Sequence, residues 1–309
     1  MSAVRPLARW EGLSGPLLAF ISLVIVAAIW GSSYPLTKIM FGQMSVWQFL
    51  ALRFAMAAAA MLAAFWRSAR ALPRRTLLHG VALGVLFASG QLLQTVGLQS
   101  TPATISGFIT GLYVVFTPLC AAVLLKTHLG RKVWFGAGMA VVGLGVLALQ
   151  GLSLGIGEIL TLIGAVVYAI HIIALGRWSR SREALGLATV QLVVVAVICA
   201  IAAAPHGFAV PSSGGGWLIM LYLAVVSGGI AMLVQTWAQS QMAASRAAIV
   251  MSTEPAWAAL MAITLIGEPF TWRVLVGGAL MLSAMFVVES GPRTHTDPIG
   301  PEDLPKLAG

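Results

Sequence analysis

The sequence predicts an all-α polytopic membrane protein, with ten transmembrane helices in two inverted-topology repeats of five. Three observations carry this prediction. The 309 residues are 59% hydrophobic and only 9% charged, whereas soluble domains carry about a quarter charged residues. The apolar residues fall into runs close to the ~20 residues that cross a bilayer as a helix. The basic residues gather on one side of those runs, as the positive-inside rule demands.

The runs lie near residues 17–39, 45–66, 77–98, 103–125, 132–150, 156–177, 186–204, 216–240, 244–266 and 271–289. Short connections rich in Pro, Gly or basic residues separate them, such as Pro73-Arg74-Arg75 and Pro211 to Gly216. Residues 1–16 read as an N-terminal tail, 17–150 as a first five-helix unit and 156–290 as a second. Residues 291–309, rich in Pro, Asp and Gly, read as a disordered tail. The basic start and Ala27-Ala28 imitate a cleavable leader, but the first apolar run is long for one. Removing it would also upset the charge alternation, so a retained span is expected.

With the N-terminus inside and ten crossings, the inner side receives Arg5, Arg9, Arg67, Arg70, Arg74, Arg75, Lys126, Arg131, Lys132, Arg177, Arg180, Arg182, Arg246, Arg293 and Lys306. The outer side receives Lys38 and Arg273, and Arg53 stays within the second span. A missed span would scramble this division. The net charge of +9 therefore reads as topology and not as a nucleic-acid footprint. The expected placement is the cell (inner) membrane with both termini cytoplasmic, as a monomer or weak homodimer in the lipid bilayer. Cys120 and Cys199 lie in apolar runs, and His128, His206 and His295 in connections or tails. No metal, disulfide framework or cofactor is expected.

An internal repeat runs at a spacing of about 140 residues. "QSTPATISGF" and "KTHLGRKVWFGAGMAVVGLGVL" in the first half match "QSQMAASRAAI" and "GEPFTWRVLVGGALMLSAMFVV" in the second. Thr127 falls on Glu268, Val133 on Val274, Gly136 on Gly277, and Ala103-Thr104 on Ala244-Ser245. Five spans per repeat place the halves in opposite orientations, an arrangement that puts a binding site at their interface near mid-membrane.

Several segments resemble the EamA branch of the drug/metabolite transporter superfamily. "AAIWGSSYPLTK" resembles its first-span opening and "LALRFAMAAA" its second-span Arg pattern. "ASRAAIVMSTEPAWAALMAITLIGEPFTWRVLVGGALML" resembles its second-repeat ending, including the EP and GEP elements. "TGLYVVFTPLCAAVLLKTHLGRKVWFG" resembles the matching first-repeat segment, with Lys126-Thr127-His128 departing from the usual Gly-Glu. The likeness runs over about residues 17–290 and implies ten helices in two inverted halves that export or exchange small metabolites, often amino acids or drugs.

Polar residues within the spans mark the faces that turn inward, because an unsatisfied polar group in hydrocarbon is costly. Ser106, Thr110, Tyr113 and Thr117 share one helical face, as do Thr161, Tyr168 and His171. Gln91 and Gln94 are neighbours in the third span, and Ser227, Gln235 and Gln239 fit a stripe in the eighth. Each residue reads as cavity lining or as a hydrogen bond between helices; jointly they favour a cavity. Trp30 and Ser33 extend it, with Ser33 set at the level of His171. Glu254 is an intramembrane carboxylate, a carrier for a proton or a cationic group, or a structural partner of Arg53. Arg53 reads as an anion site or one half of an ion pair. Pro35, Pro118 and Pro255 read as hinges or static kinks. Gly80/Gly84 and Gly107/Gly111 read as packing positions.

The resulting expectation is a secondary-active transporter of small amphipathic metabolites, amino acids first, working by alternating access through a central cavity. A multidrug exporter of the same fold is the alternative. The sequence holds no phosphate-binding loop for its own ATPase. An intramembrane hydrolase would need Ser33 or Ser106 activated by His171; no catalytic residue is assigned, and proton coupling through Glu254 stays open.

Overall fold

A computed structural model of the chain describes residues 15–125, 130–148, 155–179, 183–239 and 250–289. Both predicted tails, Arg246 and the Lys126-Thr127-His128 segment lie outside these, apart from Gly15 and Pro16. Every described helix falls where an apolar run was predicted. In chain order they are α1 (Gly15–Phe41), α2 (Val46–Arg70), α3 (Arg74–Leu98), α4 (Ala103–Gly111), α5 (Tyr113–Leu125), α6 (Arg131–Ala148), α7 (Ile156–Trp178) and α8 (Ala184–Ala203). Then follow α9 (Gly214–Leu221), the wide-turned α10 (Tyr222–Ile230), α11 (Ala231–Gln239), α12 (Glu254–Ile266) and α13 (Trp272–Glu289).

Local chemistry sets the ends. Ser45 and Gln48 form a reciprocal capping box at the start of α2, and Ser213 caps α9. Among the described residues, seven stretches are long and apolar enough to cross a membrane: Leu17–Phe41, Val46–Arg70, Arg74–Leu98, Ala103–Leu124, Ile156–Trp178, Ala184–His206 and Gly214–Gln235. The outside is apolar, with Phe20, Ile25, Leu78, Val85, Trp134, Phe135, Ile201, Leu218 and Phe286 exposed. The interior holds polar side chains, among them Arg53, Thr104, Ser106, Tyr168, His171 and Glu254. That inversion of the soluble pattern is what a lipid solvent selects.

Small residues set the helix crossings. A Cβ on Gly84 would stand 2.6 Å from Val194 Cβ of α8, and one on Gly107 2.6 Å from Ala258 Cβ of α12. These are the close backbone approaches expected of the small-residue spacing. α2 packs on α8, α6 on α13, α3 on α7 and α8, α1 on α12, α4 on α12 and α7, and α5 on α7.

Three spans are not continuous α-helices, and their irregularities do not fall where the prolines were read as hinges or kinks. The fourth breaks at Leu112, between α4 and α5. The ninth breaks at Ser252 and Thr253, and α12 starts afresh at Glu254. The eighth passes through the wide turns of α10. Pro255 does not kink a running helix; it sits in the first turn of α12, where its missing N–H leaves no bond unmade. Pro35 and Pro118 lie inside α1 and α5. The fourth-span break is thus six residues before Pro118 in sequence, at Leu112.

Candidate functional site

The break in the ninth span fixes the site. Because α12 begins at Glu254, its carboxylate stands in the first turn of a half-helix inside the bundle, where the helix dipole favours a negative charge. Glu254 is 6% exposed, and Tyr34 of α1 donates its hydroxyl to Glu254 Oε1 at 3.1 Å. Gln94 of α3 donates to the Tyr34 oxygen at 2.9 Å and to Thr110 Oγ1 of α4 at 3.1 Å. Tyr168 of α7 donates in turn to Gln94 Oε1 at 2.9 Å. Donors along Tyr168, Gln94 and Tyr34 all point toward Glu254, so the chain of bonds is polarised to hold a negative charge there.

Tyr168 reaches Gln94 because α3 carries glycine one turn earlier. A Cβ on Gly90 would lie 2.7 Å from Tyr168 Cε1 and 2.9 Å from Cδ1. Gly90→Ala is therefore expected to push the ring off α3 and break the Tyr168–Gln94 bond. Overpacking of this kind costs about 1–3 kcal/mol, measurable as a lowered melting temperature of the purified protein in detergent. Phe87 of α3 lies beside both Tyr168 and His171, with ring centroids 5.9 and 5.4 Å away.

A second polar cluster gathers on α10. Arg53 of α2, 8% exposed, donates Nε–H to Leu223 O at 3.3 Å and reaches Ser227 Oγ at 3.5 Å. Its guanidinium lies against Phe49 and Phe54, 5.9 and 5.4 Å from the ring centroids. Trp30 donates Nε1–H to Ser227 O at 3.0 Å, and Ser32 shares a 2.8 Å hydrogen bond with the Tyr222 hydroxyl. The wide turns of α10 displace its carbonyls from the ordinary helical register, and such turns recur at functional sites. Phe54 meets Phe87 edge-on at 6.4 Å, so an aromatic wall joins Arg53 to Tyr168.

Sequence reasoning read Gln94, Thr110 and Tyr168 as parts of inward polar faces and Glu254 as an intramembrane carboxylate; the structure joins the four in one network. It separates others. His171 bonds Gln191 of α8 at 2.9 Å, and Ser33 donates to Trp30 O of its own helix at 2.6 Å. The expected facing pair of Ser33 and His171 is therefore replaced by two local bonds. Gln235 donates to Met251 Sδ at 3.5 Å. Gln91 and Tyr113 are half-buried, and Ser106 is fully buried. Glu254 takes Tyr34, not Arg53, as its hydrogen-bond partner.

The family model for EamA-like transporters matches this chain twice, over residues 17–149 and 155–290. The chain belongs to the EamA-like transporter family. It is 30% identical over 273 residues to an uncharacterized transporter of Archaeoglobus fulgidus, covering 88% of this chain and 86% of that protein. A solved crystal structure superposes with a TM-score of 0.63 at 19% identity, covering 88% of this chain and 96% of the other; that likeness shows the fold alone.

As a member of that family the chain is a membrane transporter. The Ser–His pairing that a hydrolase needs is not formed, since His171 holds Gln191 and Ser33 holds Trp30 O. Sequence reasoning left Tyr34 out of the site, although it stood in the polar patch of the first span. Its signal was a phenol one turn after Trp30 on α1, inside a span.

Proposed function

We propose that the chain is a secondary-active carrier that exports or exchanges small metabolites, α-amino acids or related amphipathic compounds, by alternating access. One observation carries this reading: the buried Glu254 and the buried Arg53 are linked by one run of side chains, Tyr34, Gln94 and Tyr168 from the carboxylate, then Phe87 and Phe54 on to the guanidinium. An α-amino acid presents an ammonium and a carboxylate, which these two groups complement. The aromatic wall of Phe54, Phe87 and Tyr168 suits an apolar side chain. A phosphorylated sugar would call for several cations, and Arg53 stands here as a single guanidinium among aromatic rings.

The packing supports two inverted halves. The second spans of the halves pack on each other, as α2 on α8, and so do the fifth, as α6 on α13. The first span of each half packs on the fourth of the other: α1 on α12, and α7 on α4 and α5. The two fourth spans also break at positions that the internal alignment pairs, with Tyr113 opening α5 and Glu254 opening α12. Broken helices at a repeat interface are where carriers bind their substrates. In this reading both termini are cytoplasmic, and Glu254 exchanges a proton against the substrate ammonium.

The test is counterflow in proteoliposomes with labelled amino acids, amines and lipophilic cations, with and without a proton gradient. The expected result is saturable exchange of one or more amino acids. A protein that neither saturates, exchanges nor is thermally protected by any member of the panel is not this carrier. Exchange confined to lipophilic cations would move the assignment to a multidrug exporter.

A further inference from the structure

The GEP element in the loop after α12 has a role that the central site does not absorb. Gly267 ends α12 at φ 70°, in the left-handed region that glycine favours. The turn lets the N–H of Glu268 bond back to Ala262 O at 3.2 Å, which fixes where the Glu268 side chain goes. It reaches the start of α4 in the other half of the chain. Glu268 Oε1 accepts from the backbone N–H of Ala103 at 2.6 Å and Oε2 from that of Thr104 at 3.0 Å.

Those two N–H groups are orphans of the first helical turn. α4 follows Pro102 and has no side-chain cap of its own. The carboxylate of one half thus caps a helix of the other, with the dipole and two charge-assisted bonds in its favour. α4 and α12 are therefore tied at two levels. At the central level α12 meets α1 through Glu254 and Tyr34, and Gln94 links Tyr34 to Thr110 of α4. Towards the C-terminal end of α1, where Phe41 and Ile266 pack with Ala103, Glu268 joins α12 to α4 directly.

We infer that Glu268 is a positioning residue for transport: a latch that holds the outward mouth shut above the central site and must release for the carrier to open outward. The inference rests on the carrier reading and on the sidedness given by the basic residues. At the latch and one turn into α4, the hydroxyls of Thr101, Thr104 and Ser106 are buried without a hydrogen-bond partner among the described residues. Unsatisfied groups destabilise the shut state, and opening would hydrate them. The latch opposes that tendency, so it governs how much of the protein is shut. The internal alignment sets Thr127 against Glu268 and Ala244-Ser245 against Ala103-Thr104. The sequence supplies the carboxylate on one side only, which makes the bias one-directional.

The test reports opening without any substrate. Ser106→Cys serves as reporter in the full-length chain with Cys120 and Cys199 changed to Ala, in right-side-out and inverted vesicles. A membrane-impermeant thiol reagent is added and the rate of labelling measured. Glu268→Gln removes the charge while keeping the shape. Ala103→Pro removes one N–H donor at a first-turn position that accepts proline, and leaves Glu268 intact. Each change is expected to raise labelling from the outside about tenfold, as the loss of one charge-assisted bond implies. Melting curves of all the proteins in detergent identify any variant that does not fold, and the other variant then decides. Equal rates in the folded variants and the parent, or an increase only from the cytoplasmic side, would overturn the latch. Faster outside labelling in a protein that transports nothing in the counterflow panel keeps the latch and removes the carrier reading.

Discussion

Glu254→Gln is expected to abolish gradient-driven transport while leaving the protein folded. The amide oxygen of glutamine can still accept from the Tyr34 hydroxyl, now 3.1 Å from Glu254 Oε1. Stability should therefore change by no more than about 1 kcal/mol, the net worth of one hydrogen bond. What disappears is the charge. A neutral amide neither releases a proton to one side nor pairs with a substrate ammonium. Proton-driven accumulation should fall by roughly 100-fold, in keeping with about 3 kcal/mol for a lost buried charge partner. The dependence of exchange on pH should flatten as well. The measurement is uptake into inverted vesicles across an imposed proton gradient, alongside exchange at equal pH on the two sides. A variant that keeps full gradient-driven transport would show that the proton rides elsewhere.

The neighbouring residues explain why this carboxylate differs from the other acidic group buried among the described residues. Glu158 is buried too, in the first turn of α7, but Glu254 opens α12 at a break in the middle of its span. A helix start inside the bundle aims its dipole at the same carboxylate as the Tyr168–Gln94–Tyr34 chain. Through that chain Glu254 is linked to α1, α3, α4 and α7 together. The Glu268 cap acts on two of the same elements, α4 and α12, so the proposed coupling site and the proposed latch share helices.

Much of this was legible in the sequence, and what was not has physical reasons. Helix positions follow from hydropathy and length, because lipid leaves the backbone no choice but to bond within a span. The inward direction of Gln94, Thr110, Tyr168 and Glu254 follows from helical spacing. The breaks at Leu112 and Thr253 did not follow. Pro118 and Pro255 pointed near them, yet proline tolerates the first turn of a helix as well as it disrupts a running one, so the sequence leaves the register open. The wide turns of α10 carry no composition signal; Ser227, Gly228 and Gly229 read equally well as packing residues. Partners such as Tyr34 with Glu254, 220 positions apart, depend on which helices adjoin, and one sequence does not encode that in any local pattern. The Glu268 cap was hidden for the same reason: its partners are backbone N–H groups, which every residue but proline possesses.

The second large effect falls on Arg53, and it separates substrate recognition from coupling. Its guanidinium is buried between Phe49 and Phe54 and bonded to Leu223 O and Ser227 Oγ of α10. Among the described residues these two oxygens take two of its five N–H donors, which leaves three for the carboxylate of the proposed substrate. Arg53→Gln should weaken half-saturation for an amino acid by about 10- to 100-fold, the span of a hydrogen bond to a charged group. The corresponding amine lacks the carboxylate, so its half-saturation should move by less than about threefold. Arg53→Lys keeps the charge but loses the planar fork, and should recover part of the affinity and not all of it. The readout is the ratio of half-saturation constants for the amino acid and its amine in exchange assays, with a melting curve to separate loss of recognition from loss of fold. A purely structural Arg53 would move both substrates together. A change confined to the carboxylate-bearing substrate places Arg53 opposite Glu254 across the tyrosine pair, with each charge holding its own end of the cargo.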